Sequence, residues 1–316
     1  MKEMSSKMRD SSLSLNRRDF LAQAACAVGG LGLSGCLGSQ FTPANEMYSD
    51  KVGDRLWIWG HHAEAFRDWK NGGYKARGGL PARRHIDVYE ACRYLGIRNA
   101  ALIPWGGGFP SDPFDPYYRR YRDMRRTAWR ISTGGPECLI PFTEVAFEFQ
   151  EQMGNLTTCY LDDYFVDKDY IRPLDELREV RDRLHSRDIK LTVVLYTDQG
   201  GGINPTIKPS VDICDEVSLW FWNGKNLGTM EEQVRKCRAF IGEEKSMLLG
   251  IYMWDWGASK PIPSETMRRQ LDLARKFLAE GTVSGLIFHS NLNCDIGDSS
   301  AEVSRLWIAE HADESI

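Results

Sequence analysis

The amino-acid sequence lacks the marks of several common protein classes. Its 40 basic residues are outnumbered by 44 acidic ones, and the formal net charge of −4 provides no basic surface for nucleic acid. The glycines after the first apolar segments, at positions 72, 73, 78, 79 and 106–108, do not form the Gly-x-Gly-x-x-Gly turn of dinucleotide-binding domains. We find no internal repeat and no low-complexity segment. What remains is an ordinary globular composition, with 42% hydrophobic and 27% charged residues.

Short cysteine spacings are also missing. None of the eight cysteines belongs to a Cys-x-x-Cys pair, and most lie in apolar periodic segments, where a free thiol behaves as a small core residue. We therefore predict neither a disulfide framework nor a zinc site. The prediction covers the six cysteines beyond the N-terminal region, which are Cys92, Cys138, Cys159, Cys214, Cys237 and Cys294.

The N-terminal 35 residues resemble a bacterial export signal. Arg17-Arg18 precedes Phe20-Leu21 and an apolar run at 22–33, an arrangement similar to a twin-arginine signal. The run is too short and too rich in glycine for a membrane-spanning helix. It ends in Leu33-Ser34-Gly35-Cys36, which resembles a lipobox. The resemblance implies that residues 1–35 are removed, that Cys36 carries lipid, and that the protein is anchored to a membrane in the periplasm or at the cell surface. Residues 36–54 would be the lipidated cysteine and a tether.

From residue 55 onward, short β-like runs alternate with helical patterns. This alternation over about 260 residues predicts a single-domain (β/α)8 TIM barrel at 55–316. A doubly wound sheet is the alternative, although it usually carries a glycine-rich phosphate loop. The predicted strands are 56–61, 99–105, 126–132, 157–165, 190–196, 216–222, 246–256 and 283–291, and the predicted helices are 84–95, 115–125, 141–153, 174–186, 229–241, 264–280 and 299–311.

The order of residues within the strands predicts which side chains enter the barrel. Alternate residues point inward, and the carboxyl ends of the strands form the active-site face. Apolar Cys159 and Leu161 place Asp162 inside and Asp163 at the rim, and Asp255 lies at the tip of the seventh strand. We predict these three aspartates as catalytic residues. The predicted substrate-binding residues are Trp57, His61, Trp105, Arg130, Tyr196, Asp198, Trp222, Trp254, His289 and Asn291.

Each of these residues also has a purely structural interpretation. Asp162 or Asp163 could cap the next helix or pair with Arg130, and His289 could be a hydrogen-bonded core residue. The ten tryptophans and 12 tyrosines could fill a large core, although sugar-binding clefts also use flat aromatic faces. Convergence of polar residues at one end of the barrel favours a functional site, because the fold does not require it.

Carboxylates on separate strands among aromatic rings are suited to glycoside hydrolysis, in which one acid protonates the leaving oxygen and another attacks or activates water. The segments 160–165 (Tyr-Leu-Asp-Asp-Tyr-Phe) and 252–256 (Tyr-Met-Trp-Asp-Trp) resemble the ends of strands four and seven in the TIM-barrel glycoside hydrolases. The resemblance implies that Asp162 or Asp163 and Asp255 are the catalytic pair, acting on a carbohydrate without a cofactor. The largest retaining clan has Glu at these positions, whereas barrel enzymes acting on α-galactosides and α-fucosides carry an Asp nucleophile on strand four.

Two other functions fit the same residues. A metal-dependent sugar isomerase or epimerase could use His61, Asp162, Asp198 and His289 as ligands for manganese or zinc. This class typically takes glutamates from its strands, and no inward strand glutamate is predicted here. The second is a non-catalytic glycan-binding lipoprotein, in which the aromatic rings bind the glycan and the acids bond its hydroxyl groups.

Overall fold

The computed structural model describes residues 51–132, 138–166, 173–197 and 202–316. These residues form one closed barrel of parallel strands surrounded by helices, so the predicted (β/α)8 fold is confirmed. The strands of the described residues are β1 (Leu56–Gly60), β2 (Asn99–Leu102), β3 (Arg126–Arg130), β4 (Leu156–Leu161), β5 (Lys190–Tyr196), β6 (Glu216–Trp220), β7 (Ser246–Tyr252), β8 (Trp254–Asp255), β9 (Lys260–Pro261) and β10 (Gly285–His289).

The barrel consists of β1 to β7 and β10, in the order β1-β10-β7-β6-β5-β4-β3-β2, and every neighbouring pair is parallel. The two short strands β8 and β9 form a separate antiparallel pair after β7. The helices of the described residues are α1 (Val88–Leu95), α2 (Ile140–Met153), α3 (Leu174–His185), α4 (Lys208–Ile213), α5 (Met230–Ile241), α6 (Ser264–Ala279) and α7 (Ser299–His311).

The apolar side chains divide into two layers, as strand alternation predicts. One layer lies between strands and helices and includes Cys159 and Leu161 of β4. The other fills the barrel and includes Tyr160 of the same strand. Burial of apolar area in both layers is the main stabilising contribution to the fold. The inner layer is dominated by aromatic rings, so the barrel interior can present rings to its carboxyl-terminal end.

Several predicted boundaries are wrong for local reasons. The helix predicted at 84–95 begins at Val88, because the Asp87 side chain accepts a hydrogen bond from the Tyr89 backbone N–H and caps it. The segment predicted as a helix at 115–125 is a 3-10 helix, Pro116–Asp123. The seventh strand leaves the barrel at Tyr252 and continues as β8 in the antiparallel pair, which moves Trp254 and Asp255 out of the barrel wall.

One glycine inside the barrel allows a close contact between two strands. A Cβ atom at Gly250 of β7 would lie 2.1 Å from the ring of Trp220 on β6. The Trp220 indole therefore packs directly against the Gly250 backbone, and only glycine leaves room for it.

The six cysteines of the described residues are all free thiols. No helix in the described part of the chain combines the length and apolar character needed to cross a bilayer.

Candidate functional site

Two acidic side chains stand at the carboxyl end of β4. Asp162 continues the inward alternation of the strand, is 7% exposed, and accepts a hydrogen bond from Arg130 Nη1 at 3.2 Å on its Oδ2. The Ser132 hydroxyl donates to the Asp162 backbone carbonyl at 3.0 Å and holds the strand end in place. Arg130 is the last residue of β3 and Ser132 lies just after it, and β3 is the strand paired with β4. The first acid is therefore held by its neighbouring strand on both its side chain and its backbone.

Asp163 departs from the alternation of the strand. Its φ of +54° lies in the left-handed region, which few residues other than glycine adopt and which Asp tolerates better than most. The chain turns there, and the Asp163 carboxylate accepts a hydrogen bond from the Tyr196 hydroxyl at 3.0 Å. Tyr196 ends β5 and packs against the inner layer of the barrel. We predicted Asp163 at the rim, and the structure places its carboxylate against an inward-facing tyrosine.

The two carboxyl groups differ in their electrostatic environments. Burial first, and then the nearby Asp163 carboxylate, raise the pKa of Asp162 to about 7, although the Arg130 guanidinium opposes both effects. Burial also raises the pKa of Asp163, while the hydrogen bond from Tyr196 and the charge of Arg130 lower it. The two acids titrate as an interacting pair. Near neutral pH, such a pair can offer a proton donor and a charged carboxylate side by side.

Two histidines lie at the same end: His61 directly follows β1, and His289 ends β10, the strand paired with β1. The carbonyl oxygen of Ile103 is 2.9 Å from His61 Nδ1, and because a carbonyl only accepts, Nδ1 carries the proton. Burial lowers the pKa of His61 to about 3, aided by the charge of Arg130, so the ring is neutral and Nε2 is an acceptor. Burial and the adjacent His61 hold the pKa of His289 well below its usual range. The ring centroids are 5.4 Å apart.

Aromatic rings surround His289 and connect it to the carboxylates. The His289 ring centroid is 4.8 Å from that of Tyr252 and 5.4 Å from that of Trp256. Trp256 stacks with Trp222 at 5.9 Å, and Trp222 lies 6.3 Å from Tyr196, the partner of Asp163. Continuous ring contacts thus run from the histidines to the acid pair.

Trp105 also lies in this ring cluster, where its centroid is 4.9 Å from that of His61 and 5.5 Å from that of Trp256. The structure therefore brings several of the sequence-predicted residues together. They are His61, Trp105, Arg130, Asp162, Asp163, Tyr196, Trp222 and His289.

Of two other predicted residues, Asn291 supports the site and Trp57 lies away from it. The Asn291 side chain is fully buried; its oxygen accepts from the His61 backbone N–H, and its nitrogen donates to the carbonyls of His61 and Ile86. Because the backbone uses both ends of this amide, Asn291 positions His61. Trp57 lies near the amino end of the barrel, with the guanidinium of Arg126, the first residue of β3, 5.0 Å from its ring centroid.

The residues predicted from the seventh strand hold loops together. The Trp254 indole N–H donates to the Gly78 carbonyl at 2.8 Å and so attaches β8 to the long segment after β1. Asp255 accepts from the Ala258 backbone N–H at 3.0 Å, and a Cβ at Gly224 would lie 2.5 Å from its Oδ2. The carboxylate of Asp255 thus stabilises the turn between β8 and β9 and packs on the loop after β6. Asp198 and Cys36 lie outside the described residues.

Trp256 and Ser132 belong to the site but were not among the residues predicted from the sequence. Trp256 has the same alternation as Tyr252 and Trp254, which is the pattern that could have identified it. Ser132 carries no comparable signal, because its role depends on the backbone of another strand. Within the described residues, no three or more His, Cys, Asp or Glu side chains lie close enough together to hold a metal ion.

No protein-family model matches the sequence, and comparison with curated proteins found no similar sequence. Solved structures share its fold. A Bacteroides thetaiotaomicron protein assigned as an α-L-fucosidase is similar with a TM-score of 0.51 and 9% identity, over 90% of this chain and 100% of that one. The Ostrinia furnacalis Group IV chitinase, solved with allosamidin, is similar with a TM-score of 0.50 and 9% identity, over 84% of this chain and 100% of that one. The chain is therefore similar in fold to TIM-barrel glycoside hydrolases.

Proposed function

We propose that the protein is a glycoside hydrolase whose catalytic pair is Asp162 and Asp163. The observation that carries the proposal is the environment of these carboxyl groups at the end of β4, where one is buried beside Arg130 and the other is bonded to Tyr196. Hydrolysis of a glycosidic bond needs one protonated and one ionised carboxyl group of the protein, both acting on the same bond, and few other protein groups.

The two acids take different roles in the proposed reaction. Asp162, whose pKa is raised to about 7 mainly by burial, keeps a proton near neutral pH and donates it to the leaving oxygen. Arg130 then stabilises the carboxylate that forms, because its guanidinium already contacts Oδ2. Asp163, held by the Tyr196 hydroxyl, supplies the negative charge at the anomeric carbon, as the nucleophile or as the base for water. The anomer of the first product, read by proton NMR, separates these two courses.

This assignment differs from the pair that the resemblance implied, because Asp255 is left out. The Asp255 carboxylate accepts a hydrogen bond from the Ala258 backbone and packs on Gly224, which suits a residue that stabilises a turn. We therefore use Asp255 as the matched control for the catalytic acids.

The test is hydrolysis of a panel of aryl glycosides and oligosaccharides by the wild type and by Asp162→Asn, Asp163→Asn and Asp255→Asn. We expect kcat to fall at least about a thousandfold in the first two variants and less than about tenfold in the third. Equal loss in all three variants would contradict the assignment. Glycan binding without hydrolysis by the wild type would favour the non-catalytic alternative, and activity abolished by EDTA would favour a metal-dependent enzyme.

We also propose that the protein is exported by the twin-arginine route and anchored by lipid on Cys36. The support is the order of Arg17-Arg18, the apolar run and Cys36 in the sequence. In a bacterial host, Cys36→Ala is expected to move the protein from the membrane fraction to the soluble fraction, and Arg17→Lys with Arg18→Lys to block export. Membrane association that survives Cys36→Ala would rule out the lipid anchor.

A further inference from the structure

Three ring nitrogens that lie close together at the carboxyl-terminal end of the barrel are buried and have no hydrogen-bond partner among the described residues. They are His61 Nε2, His289 Nδ1 and the indole nitrogen of Trp256. The side chains are 1%, 8% and 4% exposed, so bulk water does not solvate them freely. A buried polar group without a partner costs about 1–3 kcal/mol, and three such groups around one histidine therefore call for an explanation.

The three side chains form one group. The ring centroid of His289 lies 5.4 Å from that of His61 and 5.4 Å from that of Trp256. The Trp105 ring contacts both His61 and Trp256, at 4.9 and 5.5 Å. The three unpartnered atoms therefore belong to one cluster of contacting rings, with His289 at its centre.

The chemistry of these atoms selects the ligand. His61 Nε2 can only accept a hydrogen bond, because its Nδ1 proton is held by the Ile103 carbonyl. The Trp256 indole N–H can only donate, and the neutral His289 ring does one or the other according to its tautomer. A hydroxyl group donates and accepts at once, so adjacent hydroxyls satisfy such a mixed set. The oxygens of an ionised carboxylate or phosphate only accept hydrogen bonds. Such a group would leave His61 Nε2 without a donor and would place its negative charge against the nitrogen lone pair.

We infer that His61, His289 and Trp256 form a subsite that binds one uncharged sugar ring through its hydroxyl groups. The inference rests on the proposed function for its setting, since ring contacts through Trp222 and Tyr196 connect this subsite to Asp163. It concerns recognition rather than chemistry.

The test measures the binding of simple sugars to the purified full chain at pH 7 by saturation-transfer NMR and calorimetry. The probes are glucose, galactose, mannose, fucose and N-acetylglucosamine, with glucuronic and galacturonic acids as charged counterparts. We expect at least one neutral sugar to bind at least about tenfold more tightly than the acids, which corresponds to the loss of one or two hydrogen bonds. Tighter binding of a uronic acid, or no sugar binding at all, would overturn the inference.

Variants locate the binding within the barrel. His61→Phe and His289→Phe keep a ring but lose the nitrogen, and each is expected to weaken sugar binding about tenfold. His61→Gln, whose amide oxygen can reach the position of Nε2, is expected to recover most of the affinity. His185→Phe is the matched control, because that imidazole is bonded to Asp215 at the end of α3 and should leave binding unchanged. Circular dichroism identifies any variant that fails to fold. If a phenylalanine variant fails to fold, the sugar affinity of His61→Gln relative to the wild type decides whether the subsite is correct.

The outcomes separate this inference from the proposed function. If Asp162→Asn abolishes hydrolysis and keeps sugar binding, both stand. If sugar binds and depends on the two histidines but no glycoside is cleaved, the hydrolase proposal fails and the subsite remains. If glycosides are cleaved while His61→Phe and His289→Phe leave KM unchanged, the subsite is wrong and the hydrolase proposal remains.

Discussion

Replacement of Arg130 by Met is expected to raise the pKa of Asp162. The guanidinium Nη1 lies 3.2 Å from Asp162 Oδ2, and both side chains are only 10% exposed. Methionine keeps much of the apolar volume and removes the positive charge. Because a nearby cation favours the ionised carboxylate, its loss favours the protonated form, so the pKa rises.

The size of the shift follows from the strength of the contact. A hydrogen bond to a charged group contributes about 1.5–3 kcal/mol, and one pKa unit corresponds to about 1.4 kcal/mol, so we expect a rise of about 1–2 units. Starting from a pKa of about 7, Asp162 would then stay protonated well above neutral pH. If Asp162 is the general acid, the alkaline limb of kcat/KM moves to higher pH by the same amount.

The direct measurement is a carbon-13 NMR titration of aspartate carboxyl groups, with the Asp162 signal assigned from its absence in Asp162→Asn. Arg130→Lys keeps the charge and is expected to shift the pKa by less than half as much. Arg187→Met removes an exposed arginine that pairs with Glu151 and is expected to leave the signal unchanged. A pKa of Asp162 that falls or stays constant in Arg130→Met would refute the electrostatic reasoning.

Three further predictions test the acid pair, the support of the site and the packing of the barrel. Tyr196→Phe removes the hydroxyl that donates to Asp163, so the pKa of Asp163 should rise and the acidic limb of the pH–rate profile should move upward by about one unit. Asn291→Ala removes three hydrogen bonds to backbone groups and should lower the free energy of unfolding in urea by about 2–4 kcal/mol. Gly250→Ala forces a methyl group into an indole ring and should cost about 1–3 kcal/mol in the same assay, whereas Gly228→Ala, which has open space, should cost less than about 1 kcal/mol. Equal stability of the two glycine variants would contradict the packing described for the barrel.

The amino-acid sequence alone predicts the barrel, and in β4 it also predicts which side chains face inward. Cys159 and Leu161 lie in the outer layer and Tyr160 in the inner one, as the alternation of β4 predicts. This succeeds because alternation is a local property of extended backbone, and the sizes of the alternating side chains record which face is buried on each side. The inward position of Asp162 follows from the same rule.

The contacts of the polar side chains, in contrast, depend on the folding of the whole barrel. The left-handed backbone at Asp163 turns its carboxylate to Tyr196, and no alternation rule anticipates that turn. Asn291 and His61 are 230 residues apart in the chain, so no local pattern could show that one amide holds the backbone of the other. Asp255 leaves the barrel with β8, a consequence of pairing with β9. Hydrogen bonds between distant segments depend on how the whole barrel closes, whereas the inward and outward faces depend only on neighbouring residues.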